Sequence, residues 1–549
     1  MSQVASSNGV VDPVVLQNQL FAKLSEMFAA EVPLYDKSLV VNQICNRAIC
    51  DLFSLLYPAF QIDDAGIVAT SGERHGAIRI GRRDEYRWMG RLFACFAMEP
   101  HNYYDMSSIG AKSQPIIATA FRSRFHPEHR VFCSLLLTDF FDGQTKARIE
   151  DLLSRRQVVP PTAQALIERS EQNGGLTQAE ADALIHECTT HIFKWTGQAY
   201  DYDLYRELCD AGLKIAADIA CFQSHHLNHL TPNTFCIDIY TSAMKFCLGE
   251  ILTEELQARL ELACARLVAQ TDRFALRLLF RHLSTEHCES LERREPTPAE
   301  VASVVEGLLG RLAHRDLALT RLNHSGFKDA TEGPSQDTPI LLRQDAYKAL
   351  SEPVTFQNPD GGSVAATHTA RFGEIEQRMY ATTPAGRQRY DQCLSDAERL
   401  LNQSPLPRSD WRGREALYAS AFAAFPKTLP ELYRAGLVYV RYEATAQGIA
   451  GAGQIATQDL AELIDLGYVR YEGQRYEDFL PISAAGIFAS NLNQYGTAST
   501  AETRPVYYQA DLESVLAREI VDANSQYAAI ERESLTQAFA QLGLAQRIA

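Results

Sequence analysis

The stretch CFQSHHLNHLTPNTFCID, residues 221–238, holds His225, His226 and His229 within five positions. Imidazole is the commonest protein ligand for metals, so three together ask for one. His225 and His229 are four apart, a spacing that shares a face on a helix. The zinc-protease pattern H-E-x-x-H is absent, because His226 follows His225, and Pro232 soon disfavours a helix. The cluster therefore reads as a loop or strand end. At most one or two of the three are expected as ligands; the others hydrogen-bond or pack. The remaining ligands must come from elsewhere in the chain.

Two further stretches supply them. SGERHGAIRIG, 71–81, places His75 and Arg79 four apart. On a strand or a helix they project together, an imidazole beside a planar fork suited to a carboxylate. A surface strand with a solvated arginine is the plainer alternative. THTARFGEIEQR, 367–378, offers Glu374 and Glu376. As one strand it puts both on the face of His368, so alternation cannot choose between them. With Arg371 and Arg378 it reads equally well as an exposed, salt-bridged strand. Two histidines and one carboxylate make the facial triad of non-heme Fe(II) oxygenases, which leaves adjacent positions open for a chelating substrate and O2. With 14 His and 68 Asp+Glu, many false triples are available, and the fold must decide.

The elements that would position these residues follow from hydrophobic spacing. Residues 14–60 read as helical, with Leu16, Leu20, Leu24 and Phe28 on one stripe. Residues 66–81 read as strands and turns, and 85–140 as mixed. VVPPTAQALIERSEQNGGLTQAEADALIHECTTHIF, from 158, reads as helix, Gly-Gly turn, helix. TFCIDIY, 234–240, alternates like a strand. Residues 248–320 predict two or three helices, 328–339 a polar linker, 340–344 a strand and 358–363 a turn. Residues 384–440 and 511–547 read as helical, and 450–500 as mixed. The implied division is 1–247 and 328–500 for the two parts of a catalytic domain, 248–327 for a helical insertion and 501–549 for a helical tail.

The 549 residues are 46% hydrophobic, 22% charged and 9% aromatic, enough for a large core. The net charge of −16, with no basic run, argues against nucleic acid or an anionic membrane as partner. An anionic substrate would need a locally positive site. The 12 Cys contain no C-x-x-C pair and sit in apolar contexts, as buried thiols do in a reducing compartment. No membrane-spanning run, secretory signal, transit peptide or peroxisomal address is read, so the cytoplasm is the expected compartment.

The blocks ERHGAIRIG (73–81), HLNHLTPNT (226–234), PILLRQ (339–344), THTARFGEIEQR (367–378) and YEDFLPISAAGIF (476–488) resemble the 2-oxoadipate dioxygenase/decarboxylase family. That family is distantly similar to vicinal-oxygen-chelate enzymes such as hydroxymandelate synthase. The resemblance implies an α+β fold with a curved central β-sheet around a metal, flanked by helices. It implies Fe(2+) on His75, His229 and Glu376, and no organic cofactor. Substrate contacts would fall on Arg79, Ile482, Ser483 and His226, with Arg79 taking an acidic end, the distal carboxylate. Ile482 stands where a Val is expected, and its extra methylene would tighten the pocket. The implied reaction joins 2-oxoadipate and O2 to give D-2-hydroxyglutarate and CO2, a step of lysine catabolism. The competing expectations are another metal-dependent 2-oxoacid dioxygenase, lyase or isomerase, or a non-catalytic protein acting through 248–327.

Overall fold

The computed structural model describes residues 9–107, 113–281, 283–328, 331–358, 360–403, 405–407, 410–480 and 506–544. Two long helices, Pro13–Glu31 and Pro33–Leu56, open the chain as the apolar spacing predicts. Asp12 caps the first through a bond from Val14 N. The second is long and apolar enough, by length and composition, to cross a membrane, which the sequence reading did not find. Here it is a core helix that buries Val41, Cys45, Ile49, Leu52 and Phe53. Its polar residues brace the strand end that carries the second histidine motif. Asn42 donates to Asn233 O, and Asn46 Oδ1 accepts from Phe235 N and Thr234 Oγ1.

The site sits on a five-stranded sheet of order β2-β3-β4-β1-β6. Its strands are β1 (Arg74–Ile80), β2 (Glu99–Asp105), β3 (Ile116–Arg122), β4 (His129–Leu136) and β6 (His229–Pro232). β1 runs parallel to β4 and antiparallel to β6. A second sheet joins β5 (Gln198–Tyr200), β8 (Ser351–Gln357) and β9 (Ser363–Thr369), with the predicted turn between β8 and β9. β7 (Leu342–Tyr347) pairs with β10 (Gly373–Arg378). β11 (Val440–Ala444) pairs with β12 (Val469–Gly473) and packs on the C-terminal helix Ala523–Gln541 around a smaller core that includes Tyr439, Phe422 and Phe539. The mixed α+β class expected from the sequence holds, built from several small sheets and many helices.

Three sequence expectations differ from the structure. The segment before β1 is a helix, Asp64–Ser71, capped by Asp63. TFCIDIY leads into the helix Ile237–Cys247, not a strand. Its Ile237, Ile239, Tyr240 and Met244 are buried, while Asp238, Thr241, Ser242 and Lys245 recur at helical spacing along one stripe. THTARFGEIEQR is two strands. The chain breaks at 370–372, where Arg371 is pinned by Glu352 and Glu31 and lies over the Trp195 ring. Gly373 resumes the strand because a Cβ there would meet the Tyr347 ring at 1.9 Å. Arg371 and Arg378 are buried, so this is not an exposed salt-bridged strand. The segment 248–327 is helical, but with four helices among the described residues where two or three were expected: Thr253–Gln270, Arg273–Leu279, Thr285–Ser290 and Pro298–Leu312. The 12 cysteines are unpaired and, apart from half-buried Cys209, buried.

β7 also carries a pH-dependent element of stability. Asp345 is buried, and burial outweighs Lys245 and Lys328 to lift its carboxyl from 3.8 to about 6. The folded protein thus holds this proton more tightly than the unfolded chain. The contribution of Asp345 to stability is fully present below the unfolded value and is lost as pH rises through about 6. Asp345→Asn is expected to remove about 3 kcal/mol of that decline between about pH 4 and pH 7. Urea unfolding midpoints of both proteins across that range measure it.

Candidate metal centre

β1 places the first histidine because it is the strand shared by β4 and β6. In register, His75 lies opposite Arg130 on β4 and Thr231 on β6, and Ala77 lies opposite His229. Period 2 then puts His75, Ala77 and Arg79 on one face with Arg130, Phe132 and Ser134. His75 and His229 are diagonal neighbours whose rings meet edge-on, with centroids 5.3 Å apart. Thr234 N donates to Glu376 O, which docks β10 against the end of β6.

β10 brings two carboxylates to one imidazole. Glu374 Oε2 lies 3.1 Å from His75 Nε2 and 3.5 Å from His229 Nε2. Thr231 Oγ1 donates to the same oxygen at 3.2 Å. Glu376 Oε2 lies 2.8 Å from His75 Nδ1, on the other side of the ring. Glu376 is further engaged by Arg378, at 2.7 and 2.9 Å, and by Arg130 Nη1 at 3.4 Å. All of these groups are buried.

The buried donor set fits a divalent ion. Ligand atoms from His75, His229 and Glu374 lie within 4.8 Å of one another. Neighbouring ligands on a metal with bonds of about 2.1 Å stand about 3 Å apart, close to the 3.1 and 3.5 Å found here. Neither ring nitrogen of buried His229 has a hydrogen-bond partner among the described residues, a costly state that a metal ion relieves. Burial holds His229 down at about 4, so it offers a neutral ring. For His75, burial is outweighed by Glu376 and Glu374, which raise it. Burial would also raise Glu376, but Arg378 and His75 hold it well below the usual carboxylate range.

Arg79 occupies the same face two residues beyond Ala77. Its Nη1 donates to Asp218 Oδ2 at 2.6 Å. Asp218 also takes Asn228 Nδ2 at 3.2 Å and His368 Nε2 at 3.0 Å, and Tyr205 Oη meets His368 Nδ1 at 2.9 Å. His226 belongs to this cluster too, 3.5 Å from Asp218 and 3.1 Å from Asn228, edge-on to Trp195. His368 therefore sits beside Asp218 rather than with Glu374 and Glu376. His225 is buried against Phe193, and neither of its ring nitrogens has a hydrogen-bond partner among the described residues. Ile482 and Ser483 lie outside the described residues. The segment leading to them is described up to Leu480, and Phe479 packs edge-on to His75 at 5.0 Å and against Phe132.

Asp218 was missed in the sequence, although a signal was there. It is the lone acid in KIAADIAC, a helix buried at every position from Ile215 to Cys221. Thr231, Arg130 and Glu477 gave no comparable signal.

A family model described as 2-oxoadipate dioxygenase/decarboxylase matches residues 20–294 and 305–491. It runs through most of 248–327 and leaves only 295–304 between its two matches, so this helical segment is not an addition peculiar to this chain. The chain is 33% identical to the 2-oxoadipate dioxygenase/decarboxylase of Pseudomonas putida, over 97% of its own length and 98% of the relative's. It is 31% identical to the protein of that name from Escherichia coli, over 90% and 92%. The crystal structure of the hydroxyglutarate synthase of Pseudomonas putida in complex with 2-oxoadipate superposes with a TM-score of 0.68 at 31% identity, over 98% of this chain and 100% of that one. A match of this extent, on a chain that gathers two histidines and two glutamates at one buried point, makes the protein an oxidoreductase of the 2-oxoadipate dioxygenase/decarboxylase family.

Proposed function

We propose that the protein converts 2-oxoadipate and O2 to 2-hydroxyglutarate and CO2 at an iron(II) ion held by His75, His229 and Glu374. The convergence of these three buried ligand atoms carries the assignment of the site. The names of the relatives support the substrate and reaction. Iron(II), when bound, supplies a chelation point for the 2-oxo acid and for O2. The equation balances without an added reductant: one oxygen atom enters the carboxylate formed from C2, the other the new hydroxyl, and C1 leaves as CO2.

The chain's own residues do the rest. Glu376 is the carboxylate behind His75: held by Arg378 and Arg130, it takes the Nδ1 side of the ring and leaves Nε2 to face Glu374. The resemblance implies Glu376 as the ligand; the side-chain positions favour Glu374 in front of the ring and Glu376 behind it. Arg79 binds the distal carboxylate, and Asp218 sets the tilt of its guanidinium. His226 and His368 orient Asp218 in turn. Phe132, Phe372 and Phe479 line the centre with apolar surface and exclude water. Ile482 and Ser483 remain substrate contacts by the family resemblance alone.

Oxygen uptake by Fe(II)-loaded protein tests the reading, with 2-oxoadipate and 2-oxoglutarate run side by side and products identified. The expected result is uptake with equimolar CO2 and 2-hydroxyglutarate from 2-oxoadipate. Iron-loaded protein that consumes no O2 with any 2-oxo acid would refute it.

A further inference from the structure

The metal centre is backed by a buried chain of alternating charges that ends in the helical segment 248–327. Glu376, beside His75, is engaged by Arg130 and Arg378. Arg130 Nη1 donates to Glu73 at 2.7 Å, and its Nη2 donates to Glu477. Glu73 Oε2 also lies 2.8 Å from Arg475. The second oxygen of Glu477 accepts from Arg281 Nη2 at 2.6 Å. Glu73, Arg130, Glu376, Arg378 and Glu477 are all buried; Arg281 is the part-exposed end, 29% accessible at its side chain. Arg281 follows the helix Arg273–Leu279, and Arg277 of that helix donates to its carbonyl at 2.7 Å. The backbone carrying Arg281 is thus itself held in place.

A buried carboxylate between two arginines has one good geometry when all its partners are present, and several poor ones when a partner is lost. Glu477 is placed by Arg130 on one oxygen and Arg281 on the other. Without Arg281, Glu477 is free to turn wholly onto Arg130 and draw it off Glu376, whose contact at 3.4 Å is the longest in the chain. Glu376 would then settle differently against His75 Nδ1.

We infer that Arg281 is a positioning residue for the metal centre, acting through Glu477, Arg130 and Glu376 to fix the ring of His75. This gives 248–327 a role in the reaction: it closes the outer end of the network that aims a ligand. The inference rests on the metal reading proposed above.

Cobalt(II) titration of the full chain is the test, because cobalt's visible bands report ligand geometry independently of turnover. Arg281→Gln is expected to weaken cobalt binding about tenfold, the lower end of losses seen when groups behind metal ligands are removed, and to shift the bands. Arg281→Lys, which keeps a donor for Glu477, is expected to recover part of both. Arg266→Ala is the control, since Arg266 lies in the same segment but pairs with Glu415; it is expected to leave affinity and bands unchanged. If Arg281→Gln folds and binds cobalt with wild-type affinity and bands while His229→Ala does not bind, the inference fails and the metal reading stands. If His229→Ala also binds as wild type, both fall. Glu477→Gln probes the same link from inside and is expected to shift the bands in the same direction. Unchanged bands in that variant would overturn the inference should Arg281→Gln not fold.

Discussion

Glu374→Ala abolishes stoichiometric iron binding, and Glu376→Gln only weakens it: this is the expected result of metal analysis after Fe(II) loading and desalting. The two residues differ by two positions on one strand face, yet the fold gives them opposite sides of one ring. Glu374 Oε2 stands near both His75 Nε2 and His229 Nε2, whereas Glu376 Oε2 meets His75 Nδ1. Losing a ligand should reduce affinity by more than about 100-fold; losing the carboxylate behind the ring should cost about 10- to 100-fold. Gln is the right replacement at Glu376, because removing the whole side chain would strand buried Arg378 without the carboxylate it meets at 2.7 and 2.9 Å, at a cost of about 3–5 kcal/mol. Circular dichroism on each variant separates lost metal from lost fold. The opposite pattern, with Glu376→Gln empty and Glu374→Ala full, would return the ligand to Glu376.

The ambiguity between these two glutamates shows where sequence legibility ends. The opening helices were legible because their buried residues recur at helical spacing along an otherwise polar face. His75 and His229 were legible as a chemical pair through the blocks around them. The helix Ile237–Cys247 was not, because TFCIDIY alternates like a strand over its first turn, and the helical spacing of Asp238, Thr241, Ser242 and Lys245 emerges only over the turns that follow. The break at 370–372 was hidden because its causes are remote: Glu31 and Glu352 hold Arg371, and Tyr347 requires Gly373. A strand read through that break wrongly aligned His368 with the glutamates. Buried arginines mislead in the same way. Arg130, Arg371 and Arg378 look like surface charge in one dimension and become interior only when acids from distant segments arrive.

A net charge of −16 does not decide which ions a site takes, because local charge is set by the immediate neighbours. Arg130 is committed to Glu73, Glu376 and Glu477, whereas Arg79 meets Asp218. Arg79 is the residue on which discrimination should turn. Asp218 takes its Nη1 at 2.6 Å, and by register Arg79 lies on the sheet face that carries His75. Hydrogen bonds to a charged partner are each worth about 1.5–3 kcal/mol, so a carboxylate held by this fork gains enough to favour a diacid over its monoacid analogue by about 100-fold.

Arg79→Gln is therefore expected to lower kcat/KM for 2-oxoadipate by about 100-fold while iron binding stays at the wild-type level. On 2-oxohexanoate, which lacks the distal carboxylate, the same variant should match the wild type, because the lost contact is one that substrate never makes. Gln keeps a donor for Asp218, whereas Ala would leave that carboxylate with a deficit in a buried cluster. Asp218→Asn should fall between, since it frees Arg79 to tilt without removing its charge. Equal losses on the diacid and the monoacid would place Arg79 at the 2-oxo acid end that both share. Loss of iron in Arg79→Gln would instead make it a prop for His229, whose ring lies close enough to feel its charge. The ratio of the two substrates' kcat/KM values thus locates the arginine along the substrate.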